Sequence, residues 1–292
     1  MAIVYLNGDF LPADQAMISP LDRGFIFGDG VYEVIPVYNG HLFRIHEHLR
    51  RLDGSLAGVR IPPPYDHQRW RAMLHELVKR NQGQNQSLYI QITRGVAQRD
   101  HAFPESINPT VFAMSSELKP LPQTIREAGI SAITTEDIRW QCCHLKTIAL
   151  LPNILLRQQA LDQGAAEAIL LRNGEATEGA ASNLFIVREG KLITPPKGPR
   201  LLPGITRDLI VELGNRHGLP VLEAPITAAE LAHADEIWLT SSTKEIMPVT
   251  QLDGQMVGNG RPGPLWQQMI RLYQDYKAHY TEDGQPGTAT AG

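Results

Sequence analysis

Lys146 stands in HLKTIALLPN, residues 144–153, as one long cation in a stretch otherwise almost wholly apolar. Desolvating an ammonium is costly, so a lysine in such a place either snorkels to the surface or is neutralised by chemistry. In QRDHAF, Arg99 and His101 lie two apart after a strand-like run and can turn a guanidinium fork and an imidazole toward one carboxylate. A solvated loop is the ordinary alternative. Gly204-Ile205-Thr206 sits at the mouth of an expected helix, whose first turn offers unpaired N–H groups, a positive dipole end and a hydroxyl to an anion; simple N-capping would serve equally well. Ser241-Ser242-Thr243 forms a similar polar stretch after a strand. Glu178, in EATEGAASN, falls between two expected strands among small residues, where a carboxylate is a loop charge unless a cation has to be matched.

Other arrangements are excluded by spacing. GFIFGDG, residues 24–30, has neither the G-x-G-x-x-G nor the G-x-x-x-x-G-K-[ST] pattern of a phosphate loop, so its glycines are read as positive-φ or close-approach positions. His46 and His48 are two apart and point to different faces of a helix, and no H-E-x-x-H or paired C-x-x-C occurs; no metal site is expected. The two cysteines, Cys142 and Cys143, are adjacent and give no disulfide framework, which suits a reducing compartment. With 20% charged residues and a net charge of -4, the chain lacks the basic blocks of a nucleic-acid or anionic-membrane binder. No segment approaches the roughly 18 apolar residues of a membrane span, and MAIVYLNGDF does not read as a signal sequence. A cytoplasmic protein acting on a small molecule is expected.

These side chains must be positioned by elements that the pattern makes visible. Asn7-Gly8 and Asn39-Gly40 mark two hairpins, and alternation runs from Val31 to Tyr38. Leu49, Leu52 and Leu56 predict a helix over 46–59, ended by Pro62 to Pro64; Trp70, Leu74 and Leu77 predict another over 67–81. SLYIQITRG and TVFAMSSEL read as strands. Beyond a proline-bearing stretch come strands at 129–135 and 168–171 flanking a helix from about 153 to 163, a hairpin in SNLFIVREGKLITP, a helix from Gly204 to Gly218 and a late strand, DEIWLTSS. Hairpins and helices are mixed without regular βαβ alternation, which predicts two α+β domains and not a Rossmann sheet. The expected partition is an N-terminal domain at 1–118, a linker at 119–124, a C-terminal domain at 125–282 carrying the lysine, and a disordered tail at 283–292.

Taken together, RGFIFGDGVYEVIPVYNG, HEHLRRL, TRGVAQRDHAFPE, EDIRW, LKTIALLPN, ATEGAASNLF, LLPGITRD and LTSSTKEIMPV resemble, in this order, the pyridoxal-phosphate aminotransferases of fold type IV. The resemblance spans roughly residues 3 to 252, and the R-x-H element is most similar to the D-amino acid aminotransferase branch. It implies that Lys146 is joined to pyridoxal 5'-phosphate as a Schiff base, so that it is no longer a bare ammonium, and that the released amine moves the substrate Cα proton. Glu178 would face the pyridine nitrogen and keep it protonated. Arg51, in the H-x-x-R-L element, would clamp the phosphate with Ile205, Thr206, Ser242 and Thr243. Leu202 would pack on the ring, with Ser182 beside it. Tyr32, Arg99 and His101 would hold the substrate carboxylate, the last two reaching in from the neighbouring subunit of a homodimer.

The implied reaction moves an amino group from a D-amino acid such as D-alanine to 2-oxoglutarate, giving pyruvate and D-glutamate. Alternatives on the same fold are a branched-chain L-amino acid transaminase, an (R)-amine transaminase and an aminodeoxychorismate lyase; a non-catalytic ligand binder is the alternative outside enzymes. Three departures bear on substrate range and cofactor affinity. Ala149 stands where the branch has asparagine, Ala180-Ala181 replace a serine pair, and Asp100 inserts an acid between Arg99 and His101.

Overall fold

The structure, a computed structural model, describes residues 2–282. The tail expected at 283–292 lies outside the described residues. The described residues form two compact units: one from residues 2–119, Leu145–Ala149 and 280–282, the other from Pro120–His144 and Leu150–His279. Each has its own sheet, one of six strands and one of ten, in keeping with the α+β class.

The first unit contains β1 (Ile3–Leu6), β2 (Asp9–Pro12), α1 (Arg23–Phe27), β3 (Gly30–Tyr38), β4 (His41–Leu42), α2 (Ile45–Gly58), α3 (His67–Arg80), β5 (Gln86–Thr93) and β6 (Thr110–Glu117). Its antiparallel sheet runs β2-β1-β6-β5-β3-β4. On β3, Val31, Ile35 and Val37 are fully buried in one core with Leu49, Leu52 and Leu56 of α2 and Trp70, Leu74 and Leu77 of α3. That is the helical spacing seen in the sequence, and each such aliphatic side chain contributes about 1.5–3 kcal/mol on burial. The short helix α1 has no counterpart in the sequence pattern. Asp22 caps it by accepting from Gly24 N at 2.8 Å, and Gly28 ends it at φ 67, which no residue adopts as readily as glycine.

Leu145–Ala149 belongs to the first unit, whereas the sequence pattern groups Lys146 with the second half of the chain. The reason is pairing: Thr147 bridges Val31, Tyr32 N donates to Lys146 O at 2.9 Å and Ile148 N to Gly30 O at 3.1 Å, so this segment extends along β3.

The second unit contains α4 (Gln123–Ala128), β7 (Ile130–Glu136), α5 (Leu151–Asp162), β8 (Glu167–Arg172), β9 (Glu175–Gly179), β10 (Asn183–Arg188), β11 (Lys191–Thr194), α6 (Ile205–Arg216), β12 (Val221–Glu223), β13 (Ile226–Thr227), α7 (Ala228–Ala232), β14 (Glu236–Ser241), β15 (Glu245–Leu252), β16 (Gln255–Met256) and α8 (Pro264–Ala278). The sheet order is β12-β11-β10-β14-β15-β7-β8-β9-β13, with β16 on β15. Two connections are parallel crossovers, β7–α5–β8 and β11–α6–β12, so βαβ units occur locally within the mixed order. Glu178 is also not on a loop: EATEG is strand β9, paired with β8 and β13. No helix among the described residues is long and apolar enough to cross a membrane.

Candidate active site

Lys146 is fixed through its backbone. Besides the bonds along β3, its own N–H donates to Ser55 Oγ of α2 at 3.1 Å. Only the side chain retains freedom, and Nζ lies 4.1 Å from the centroid of the Tyr32 ring, a cation–π approach. The residue is half-buried, not enclosed as its apolar sequence surroundings suggest. Tyr32 in turn packs on Tyr89, ring centroids 5.6 Å apart.

The next residue of β3, Glu33, points to the opposite side and is fully buried. Arg51 grips it with both arms, Nε to Oε1 and Nη2 to Oε2, each at 2.8 Å, and His48 Nδ1 lies 2.8 Å from Oε2. Burial works to raise the Glu33 carboxyl, but the Arg51 charge and these bonds overcome it and hold the group far below the usual range. His48 is pushed the other way: burial dominates and, with the Arg51 and Lys146 charges, keeps its imidazole below its ordinary value against the pull of Glu33. Arg51 thus projects from α2 with a set orientation. His48 and Glu33 both lie within the motifs quoted above, yet nothing in the motifs shows that they meet.

Arg99 and His101 are on the loop after β5, and both are exposed. The His101 ring lies 5.5 Å and the Arg99 guanidinium 5.6 Å from the ring centroid of Phe27, the last residue of α1. Among the described residues neither is bonded to Tyr32. The acid between them, Asp100, turns back on its own loop, where Oδ1 accepts from Ala102 N at 3.1 Å.

In the second unit Glu178 is 4% exposed and both side-chain oxygens are engaged. Arg139 Nη1 approaches Oε1 at 2.5 Å, while Asn183 Nδ2 and Leu202 N each donate to Oε2 at 3.1 Å. Burial is the largest influence and raises the carboxyl to about 6, with Arg139 opposing it. Arg139 is held by Asp137 through Nε and Nη2, both at 2.9 Å, and Arg172 reaches the same carboxylate at 3.0 Å. Asp137 and Arg139 lie in EDIRW, but a sequence gives no sign that this element meets a glutamate 39 positions on.

Asn183 Nδ2 also donates to Leu202 O at 2.8 Å, tying β10 to the segment before α6. A Cβ at Gly204 would overlap Asn183 Oδ1, so only glycine permits this approach. Gly204 is the N-cap of α6 and brings no capping side chain, and Ile205 and Thr206 form the buried first turn. Asn183 pairs with Thr240, which places the turn of Ser242 and Thr243, between β14 and β15, at the same end of the sheet. Ser182 is buried, and its hydroxyl makes no hydrogen bond among the described residues.

Residues 30–252 match the family model described as amino-transferase class IV. The chain belongs to the class IV aminotransferases. It is 40% identical over 262 residues to the D-alanine aminotransferase of Bacillus licheniformis, covering 90% of this chain and 92% of that one. The D-alanine aminotransferase of Staphylococcus haemolyticus is 38% identical, covering 94% and 98%. Among solved structures, the branched-chain amino acid aminotransferase of Escherichia coli superposes with a TM-score of 0.90 at 28% identity, covering 98% of this chain and 97% of that one.

The cofactor of this class IV aminotransferase is pyridoxal 5'-phosphate, and the residues present fit it. A helix N-terminus without a capping side chain, beside a glycine cradle, suits a phosphate. A buried, fully oriented carboxylate suits a ring nitrogen that must stay protonated, and a backbone-pinned lysine with a mobile amine suits the aldehyde.

Proposed function

We infer that this aminotransferase moves the amino group of a D-amino acid such as D-alanine to 2-oxoglutarate, leaving pyruvate and D-glutamate. The observation that carries the reading is the 36–40% identity, over 90% or more of the chain, to several D-alanine aminotransferases. Bound pyridoxal phosphate would supply an aldehyde carbon whose oxygen is replaced by the amino group, and a ring that takes up the electron pair left at Cα.

The chain's own residues do the rest. Lys146 Nζ would anchor the cofactor and, when free, carry the proton from the substrate Cα to the carbonyl-derived carbon that receives the amino group; its fixed backbone limits the amine to one short arc, and the Tyr32 ring face steadies it in the charged state. Glu178, ionised above about pH 6, keeps the pyridine nitrogen protonated, and its three donors hold the carboxylate aimed while costing nothing at the moment of reaction. Arg51, the Ile205 and Thr206 N–H groups and the hydroxyls of Ser242 and Thr243 hold the phosphate. Leu202 packs on the ring, and Ser182 supports that side. Tyr32, Arg99 and His101 bind the substrate carboxylate, which turns the hydrogen of a D-amino acid toward Lys146.

We place the enzyme in the cytoplasm as a homodimer. Met17, Ile18, Leu21, Phe25 and Val96 are all exposed on the first unit, a set of large apolar side chains suited to a second copy.

Single-turnover mixing of the holoenzyme with D-alanine or L-leucine tests the reading. D-alanine should discharge the visible absorbance of the lysine-bound cofactor and release pyruvate; efficient reaction with L-leucine and none with D-alanine would move the enzyme to the branched-chain group that its fold neighbours represent.

A further inference from the structure

Arg23, in the first turn of α1, is 4% exposed and binds none of the groups assigned above to cofactor or substrate. Its Nε donates to Asp29 Oδ2 at 2.8 Å, and its Nη1 donates to two main-chain carbonyls, Asp100 O at 2.6 Å and Ala102 O at 3.2 Å. Those carbonyls bracket His101 and follow Arg99. A second guanidinium completes the arrangement: Arg94 donates to both Asp29 oxygens, at 2.8 and 2.9 Å, and to the carbonyls of Val59 and Arg60. Asp29 therefore links two buried arginines. Burial would raise its carboxyl, but the bonds and charges of Arg94 and Arg23 prevail and keep it below the usual range.

The backbone around this cluster is also fixed. Arg23 N donates to Gly95 O at 2.9 Å and Arg94 N to Asp29 O at 3.1 Å, which joins α1 to the end of β5. Gly95 has φ +92, and a Cβ there would overlap Asn108 O, so the chain can leave β5 in this direction only with glycine. Asp100 closes the loop from within, its N–H donating to Gln98 O at 2.8 Å and its carboxylate accepting from Ala102 N.

An arginine and a histidine on a surface loop bind a carboxylate well only if their backbone does not have to be ordered at the moment of binding. Nothing in the side chains of Arg99 and His101 supplies that order beyond the face of Phe27. We propose that Arg23 is a positioning residue for carboxylate recognition: anchored on Asp29, it holds the loop of Arg99 and His101 by the carbonyls of Asp100 and Ala102. Arginine is required because one planar fork must reach a carboxylate and two carbonyls at once; a lysine ammonium can keep the charge beside Asp29 but not the whole span. The proposal rests on the reading that Arg99 and His101 bind the substrate carboxylate.

The test compares Arg23→Gln, Arg23→Lys, Asp100→Ala and Arg99→Ala holoenzymes with the parent, measuring KM and kcat for D-alanine together with cofactor absorbance and thermal unfolding. Losing a fixed geometry of this kind is expected to raise KM by about tenfold in Arg23→Gln, less in Arg23→Lys, with kcat within about twofold and the absorbance unchanged. Asp100→Ala, on an exposed loop where folding is not at risk, should raise KM by about threefold, the scale of one hydrogen bond. A raised KM in Arg99→Ala with the Arg23 and Asp100 variants within about twofold of the parent would overturn the proposal. So would a loss of cofactor or kcat in the Arg23 variants at unchanged KM, since that marks a purely structural residue. An unchanged KM in Arg99→Ala would remove the carboxylate reading itself, and the proposal with it.

Discussion

Replacing Arg139 with leucine takes one donor from Glu178 and two from Asp137 without adding volume. Asp137 keeps Arg172 and the main-chain N–H of residue 139, at 3.0 Å each, so the structural loss is partial. Glu178 loses its charged donor and keeps Asn183 and Leu202 N. A hydrogen bond to a charged group is worth about 1.5–3 kcal/mol, which at roughly 1.36 kcal/mol per pKa unit moves the carboxyl by about one to two units. From about 6 it would then rise, since burial continues to favour the neutral acid and the opposing charge is gone. At a new value of roughly 7–8 the ionised fraction at about pH 7.5 falls from nearly all to between about a quarter and three quarters. The assay is the pH dependence of pyridoxal phosphate affinity in the apoenzyme, followed by absorbance. In the parent, affinity should decline as pH falls through about 6; in Arg139→Leu that decline should begin about one to two units higher, and in Glu178→Gln it should be absent. A decline at the same pH in the parent and Arg139→Leu would refute the reasoning.

Glu33→Gln leaves Arg51 and His48 without their buried carboxylate and should cost about 3–5 kcal/mol, or roughly 6–20 °C in unfolding temperature; a loss under about 1 kcal/mol in denaturant unfolding would contradict the pairing. Because the Glu33 carboxyl is held below its ordinary value of 4.5, its contribution is fully present above that pH and is lost as pH falls below it, so the variant should show a shallower acid decline in stability than the parent. Gly204→Ala places a methyl group on Asn183 Oδ1 and disturbs the amide that serves both Glu178 and Leu202. Cofactor affinity should drop by about tenfold, the scale of one charge-bearing hydrogen bond, with secondary structure by circular dichroism unchanged; unaltered affinity would show that this approach does not matter.

The parts of the fold legible in the sequence are those written in local periodicity. The core faces of α2 and α3, the alternation of β3 and the hairpin of β10 and β11 follow from apolar spacing, because burial of one face fixes both the element and its orientation. The strand β9 is hidden because its buried residues, Ala176, Thr177 and Glu178, are small or polar and carry no apolar alternation. Helix α1 has five residues, too few for a period, and exists through the Asp22 cap and the left-handed Gly28. The pairing of Lys146 with β3 joins residues more than a hundred positions apart, and Arg51 grips Glu33 across 18 positions and Arg139 grips Glu178 across 39. Such ion networks determine how the site works, yet each partner alone reads as an ordinary charge. The positions of Lys146, Glu178, Arg51 and the R-x-H element are therefore legible only through the ordered resemblance, and the residues that aim them only through the structure.

The central claim is a covalent bond between pyridoxal phosphate and the ε-nitrogen of Lys146. Borohydride reduction of the holoenzyme followed by peptide mass mapping should find one pyridoxyl group, on the peptide bearing Lys146, and none in Lys146→Ala. A reduced adduct on another lysine, or no adduct in protein saturated with the cofactor, would contradict the account.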